Sequence, residues 1–193
     1  MRTAWGYDVS GSIDPIVSAN DFHTMTGNAY SGNHRVEAAL AAASQAIRNY
    51  CGWHICPSVD CTAYPPGGTT VMCLPAGYVS EIDTITEDGT AVTDYEWKRT
   101  GLIRKKCGRW SHTWDGIKVE YTAGYDEEAV PDLVDAVCSI ASGVLAVSSG
   151  VVQESADGVS ITYSTNAASV ASALTSNYKS ALEPYRVVNS HAT

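Results

Sequence analysis

Ile117-Lys-Val-Glu-Tyr-Thr-Ala-Gly-Tyr125, followed five residues later by Val130-Pro131-Asp132-Leu133, is the stretch whose reading decides the fold. Its first half alternates apolar and polar residues with a period of two, the mark of a half-buried strand. Its second half opens a helix. Pro131 takes the first helical position, acidic residues lie beside it, and apolar positions follow at helical spacing.

Upstream of this strand the sequence predicts more strands. Thr69–Leu74 and Val79–Thr86 are strand-like, Asp88-Gly89 is a hairpin-type turn, and Ala91–Lys98 returns. A short turn at Gly101 precedes Leu102–Lys105, and a loop from Gly108 to Gly116 carries Trp110 and Trp114. Short strands at regular spacing predict a small antiparallel sheet or sandwich. Residues 53–68 read as loop, ending in Pro65-Pro66-Gly67-Gly68.

Outside the sheet the period becomes helical. Val36, Ala39, Leu40, Ala43, Ile47 and Tyr50 share one face, with Asn33 as cap and Gly52 as left-handed stop. The alanines of this helix favour it and keep it thin. Ser18 to Gly27 reads as a short capped helix, and residues 1–15 as an irregular arm. From Pro131 a second long helix runs to about Ser149, lined by Leu133, Val137, Ile140, Ala141, Val144 and Val147. Gln153 to Tyr163 reads as a loop with a short strand. A third helix spans about Ala168 to Leu182, with Leu174 and Tyr178 inward, and Pro184 ends it.

The expected class is α+β: mainly an α-helical bundle with an inserted small antiparallel β subdomain and an extended C-terminal tail. The expected division is an N-terminal arm 1–17, a bundle from 18–52 and 126–183, a β-rich insertion 53–125, and a docking tail 184–193. Leu40, Ile47, Val137, Ile140 and Leu174 are the expected shared core of the helices.

Composition narrows the chemistry. The chain has 193 residues, enough to bury a core. Its formal charge is −9, which argues against sequence-independent grip on duplex DNA, since that affinity comes from Lys and Arg. Like charge still allows DNA to slide past without sticking. There is no run of ~18 apolar residues to span a membrane and no apolar signal core at the start. Eleven Tyr and five Trp against a single Phe supply amphipathic bulk that suits partner surfaces or the rim of a core.

Six of the twelve basic residues cluster as Lys98, Arg99, Arg104, Lys105, Lys106 and Arg109, interleaved with Trp97, Trp110, His112 and Trp114. Three readings stand open: a phosphate-contacting patch with stacking aromatics, a docking surface for an acidic partner, or a solvated hairpin with buried stems. Cys51, His54, Cys56 and Cys61 lie close in sequence, but their spacing fits no common zinc pattern. Free thiols and no structural metal are expected. No nucleophile elbow or phosphate loop appears, and Asp126-Glu127-Glu128 suits the positive end of the following helix. The expectation is no enzyme and no cofactor; the rival is a small hydrolase using the Cys/His loop.

Four places, in this order, resemble the head–tail connector (neck adaptor, head-completion) family of tailed bacteriophages. They are Ile47-Arg-Asn-Tyr50-Cys51-Gly52-Trp53; Val119 to Tyr125 with Val130-Pro131-Asp132-Leu133; Glu154 to Tyr163; and Leu182-Glu-Pro184-Tyr185-Arg186. The resemblance implies a virion protein of the neck, made in the host cytoplasm. It would form a ring, usually of twelve copies, beneath the portal vertex. That ring extends the DNA channel, with no sequence-specific binding and no membrane, and receives the stopper or tail-completion protein. The runner-up is another neck protein, a stopper or tail terminator. The family's C-terminal segment reaches the portal, which points to Tyr185, Arg186, Val187 and Val188 here. For the contact with a partner ring the expected residues are Lys98, Arg99, Arg104, Lys105, Lys106, Arg109, Trp110 and Trp114. The Cys-rich loop 51–73 and the first fifteen residues match no family feature.

Overall fold

The computed structural model describes residues 3–148, 153–156, 159–162 and 176–187. The chain divides into two compact units. One is a sheet unit of residues 1–13, 51–126 and 185–193; the other is a helical unit of residues 14–50 and 127–184.

The strand that opened the sequence reading is the middle of the sheet unit. It is β8, Ile117–Ala123, and its residues alternate between buried and half-buried along the whole length. One side of it pairs with β2 (Val59–Ala63), the other with β4 (Val79–Glu87), both antiparallel. β1 (Tyr7–Val9) and β5 (Thr90–Ala91) complete a five-stranded sheet in the order β1-β2-β8-β4-β5. A second sheet of three strands, β3-β7-β6, is built from Val71–Cys73, Leu102–Lys105 and Tyr95–Trp97. The core of the unit is Trp53, Ile55, Val79, Ile85, Ile103, Trp110, Ile117, Val119 and Tyr121, all almost fully buried. Asp88 and Gly89 turn β4 into β5 with φ 49 and φ 81, the pair of left-handed residues that a two-residue hairpin needs.

In the helical unit, α1 (Ala19–Met25) is capped by the Ser18 hydroxyl, which accepts from the Asp21 N–H at 3.1 Å. α2 (Val36–Cys51) buries Val36, Ala39, Leu40, Ala43, Ser44, Ile47, Arg48 and Cys51, one continuous helical stripe. The two polar members tie down the chain before α1. The Ser44 hydroxyl accepts from the Ile16 N–H at 3.0 Å, and the Arg48 guanidinium donates to the Asp14 carbonyl at 2.7 Å. α3 (Pro131–Ser148) starts at Pro131 and buries Leu133, Val137, Ile140, Ala141 and Leu145. β9 (Gln153–Ala156) and β10 (Val159–Thr162) pair antiparallel, and α4 (Ser176–Leu182) ends before a 3-10 turn, Glu183–Tyr185.

Leu40, Ile47, Val137 and Ile140 are buried as expected. Leu174 lies outside the described residues. The α+β class stands, but the chain is not mainly a helical bundle. Eight of the ten described strands belong to the two sheets of the sheet unit. Two segments read as irregular are strands: the arm contains β1, and the loop 53–68 contains β2, which sits between β1 and β8. The run Ala91–Lys98 is not one strand. β5 stays with β4, and β6 leaves to pair with β7 in the other sheet.

Candidate functional site

The chain after α4 does not leave its own structure at Pro184. The Trp53 indole N–H donates to the Tyr185 carbonyl at 2.6 Å, and the Val187 N–H donates to the Cys51 carbonyl at 2.9 Å. The Tyr185 ring meets Tyr125 edge-on at 5.9 Å, and Tyr125 stacks on Tyr78 at 4.5 Å. The backbone at Gly77 passes so close that a Cβ there would lie 2.9 Å from the Trp53 ring and 3.3 Å from Val187. The expectation of an extended tail is therefore corrected for Tyr185 and Val187, because Trp53 and Tyr125 offer a polar donor and an aromatic face at that point. Arg186 is exposed. Val188 lies outside the described residues.

The basic cluster is paired more than its sequence suggests. Arg104 meets Glu96 at 2.7 Å, Lys105 meets Glu87 at 2.5 Å, and Lys106 meets Asp94 at 3.7 Å. Arg99 donates to the Tyr78 hydroxyl at 2.7 Å. Strand pairing brings these partners in: Glu96 lies opposite Arg104 across β6 and β7. Lys98 and Arg109 carry no ion pair among the described residues. Trp110 is fully buried, with Lys105 5.1 Å above its ring, so it offers nothing to a partner, contrary to expectation. Its burial follows from backbone bonds that pull it in: its N–H donates to Thr69 and its carbonyl accepts from Gly68.

Trp114 is the reverse case, 95% exposed at the tip of the same loop. It borders a cleft of about 400 Å³ with Tyr64, Pro65, Pro66, Gly67 and His112. Tyr64, Pro65 and Pro66 were not among the expected site residues. Their one sequence signal, a Tyr-Pro-Pro-Gly run, reads as a loop and gives no hint that it faces Trp114.

His54 is fully buried. Its Nε2 lies 2.9 Å from the Ala123 carbonyl, so it carries the proton and donates there. Nδ1 is then an acceptor, filled by the Tyr7 hydroxyl at 2.6 Å, while that hydroxyl accepts from the His54 backbone N–H at 3.0 Å. Both ring nitrogens are used in holding β1 and β8 to the loop after α2. Cys51, Cys56 and Cys61 are buried thiols. Burial pushes the Cys61 thiol up to about 12, and neighbouring Asp60 adds to this. No group of three or more His, Cys, Asp or Glu placed to hold a metal occurs among the described residues.

The model of the family described as Head completion protein matches residues 15–188. The chain belongs to the head completion protein family. It is accordingly a structural virion protein of the neck, serving the joining of phage head to tail. The fold agrees with this membership. A chain from the neck of a native GTA particle, computed with C12 symmetry, superimposes with a TM-score of 0.61 at 15% identity, over 97% of this chain and 98% of that one. A chain from the neck of an empty GTA particle, computed with C6 symmetry, gives 0.59 at 15% identity over the same shares. No curated protein matches the sequence.

Proposed function

We propose that this head completion protein works as a ring of twelve copies beneath the portal, where it extends the DNA channel and receives the stopper or tail-completion protein without catalysing a reaction. The observation that carries the reading is the family match over residues 15–188. The likeness in fold to a chain of a neck with C12 symmetry supports the ring. Pairing of Arg104, Lys105 and Lys106 with carboxylates supports passage of DNA without tight phosphate contacts. Engagement of both His54 nitrogens within the fold supports a role without chemistry. Arg186, exposed on the segment after Pro184, leads the contact with the portal, and Trp114 with its Tyr64–Pro66 cleft serves the ring on the other side.

The test is imaging of isolated necks with no symmetry imposed, this chain being traced in the map. Twelve copies next to the portal are expected; a copy number other than twelve, or a location away from the portal, refutes the proposal. Trp114→Ala is expected to leave folding intact and to weaken attachment of the following ring.

A further inference from the structure

The three-stranded sheet leaves one face open to solvent. Side chains alternate across a strand, so Met72, Ile103 and Trp97, which lie opposite one another, share one face. Val71, Arg104 and Glu96 share the other, with Leu102 beside them. Met72 and Ile103 are buried, whereas Val71 and Leu102 are each 41% exposed. They line a depression of about 320 Å³ with Glu96, Trp97, Lys98 and Arg104. An aliphatic centre within a charged rim is the build of a docking surface. The rim is positive on balance: Lys98 and Arg104 stand against Glu96 alone, in a chain of net charge −9.

The helical unit carries the complement. It has ten Asp and Glu against three Lys and Arg. Met25, at the end of α1, is 53% exposed, and its sulfur lies 3.7 Å from Cys138 Sγ on α3. Carboxylates surround this pair. Burial raises the Cys138 thiol to about 11, and Asp135, Glu127 and Asp21 add to it. Burial also raises Glu127, helped by Asp21 and Glu128. Here too an apolar centre sits in a charged rim, of the opposite sign.

The two patches differ, so they complement each other and not themselves. A contact of that kind between copies is head-to-tail, and it closes into a ring when the rotation closes. A closed ring fills every such patch with its complement. We propose that the Val71–Leu102 face of one copy docks on the Met25 patch of the next, with Lys98 and Arg104 set against Glu127, Glu128 and Asp135. This rests on the ring reading above and names the faces that make it.

The test uses particles lacking this chain, completed with purified full-length variants and read by imaging of the neck. Lys98→Glu with Arg104→Glu turns one rim acidic; Glu128→Lys with Asp135→Lys turns the other basic. All four residues are exposed and the one ion pair lost, Arg104 with Glu96, is solvent-exposed; Arg104→Glu then faces Glu96 and Glu128→Lys meets the positive start of α3, so melting temperatures are expected to fall by no more than about 4 °C. Each variant alone now sets like charges together and is expected to lower ring occupancy roughly hundredfold. An equal mixture of the two, and the variant carrying all four changes, are expected to restore it. Rings formed normally by both single-face variants overturn the pairing while the ring reading stands. Blocked assembly without rescue also overturns it. So do normal rings from the Lys98→Glu, Arg104→Glu variant that lose a neighbouring ring or DNA, since the face then belongs to that partner. Wild-type chain that completes necks without forming a ring refutes the ring reading, and this inference with it.

Discussion

Gly124, in the Tyr-Thr-Ala-Gly-Tyr step after β8, is the position where a single methyl group should do most harm to the sheet unit. Its φ is 111, a region that L side chains rarely adopt. A Cβ there would lie 2.4 Å from the Pro57 carbonyl oxygen and 2.8 Å from His54 Nε2. The first contact is with backbone, and the second is with an imidazole whose two nitrogens are already committed to Tyr7 and Ala123. Neither can move aside freely. Backbone strain of this kind costs about 1–3 kcal/mol, and overpacking a filled site costs about another 1–3. Gly124→Ala is therefore expected to destabilise by about 2–6 kcal/mol. For a chain of this length that is a fall in melting temperature of roughly 4–24 °C, at ~2–4 °C per kcal/mol. Gly89→Ala is the control, because it shares a positive φ of 81 but has nothing within 4 Å of the added carbon. Urea and thermal unfolding, followed by tryptophan fluorescence, would give both values. If Gly124→Ala costs no more than Gly89→Ala within about 0.5 kcal/mol, the error of a typical such comparison, the steric reasoning is wrong.

Ile140→Ala on α3 should cost about 2–5 kcal/mol in urea unfolding, the usual range for emptying a buried aliphatic site; a loss below about 1 kcal/mol would show that the site is not core. Deleting residues 185–193 should lower stability by about 2–4 kcal/mol, from two hydrogen bonds and the Tyr185–Tyr125 contact. Unchanged stability would mean that the segment does not rest on Trp53 and Cys51. With a thiol reagent at pH 8, exposed Cys73 and Cys107 should react in the native protein, while buried Cys51, Cys56, Cys61 and Cys138 wait for unfolding. The raised Cys61 pKa also fixes a pH dependence. The folded state holds that proton more tightly, so its contribution is complete below the ordinary thiol pKa of 9.0 and is lost as pH rises through about 12. Stability should fall across that window by up to about 1.4 kcal/mol per pH unit from this group; a flat profile in alkaline denaturation would contradict it.

Sequence alone determined the elements whose signals are local. β8 follows from strict alternation in Ile117–Ala123, α3 from Pro131, α1 from its Ser18 cap, and the β4–β5 turn from Asp88-Gly89. The α2 stripe was legible from its period, although Ser44 and Arg48 on the buried side were not, because their partners lie in the segment near Ile16. The resemblance to a family was legible too, since it rested on short motifs in order.

Tertiary structure decided what depends on residues far apart in the chain. β1 and β2 are too short to declare themselves; β2 exists as a strand because β8 offers a pairing edge, and β1 because β2 does. Within Ala91–Lys98 nothing local marks the point where β5 ends and β6 joins the other sheet. Trp110 and Trp114 share one loop and one residue type, yet the first is buried and the second 95% exposed. The basic cluster looked free until register set Glu96 against Arg104 and folding brought Glu87 to Lys105. The physical reason is the same in each case. Period and capping energies act over a few residues and are written locally, whereas burial and charge pairing depend on which distant segment fills the space alongside.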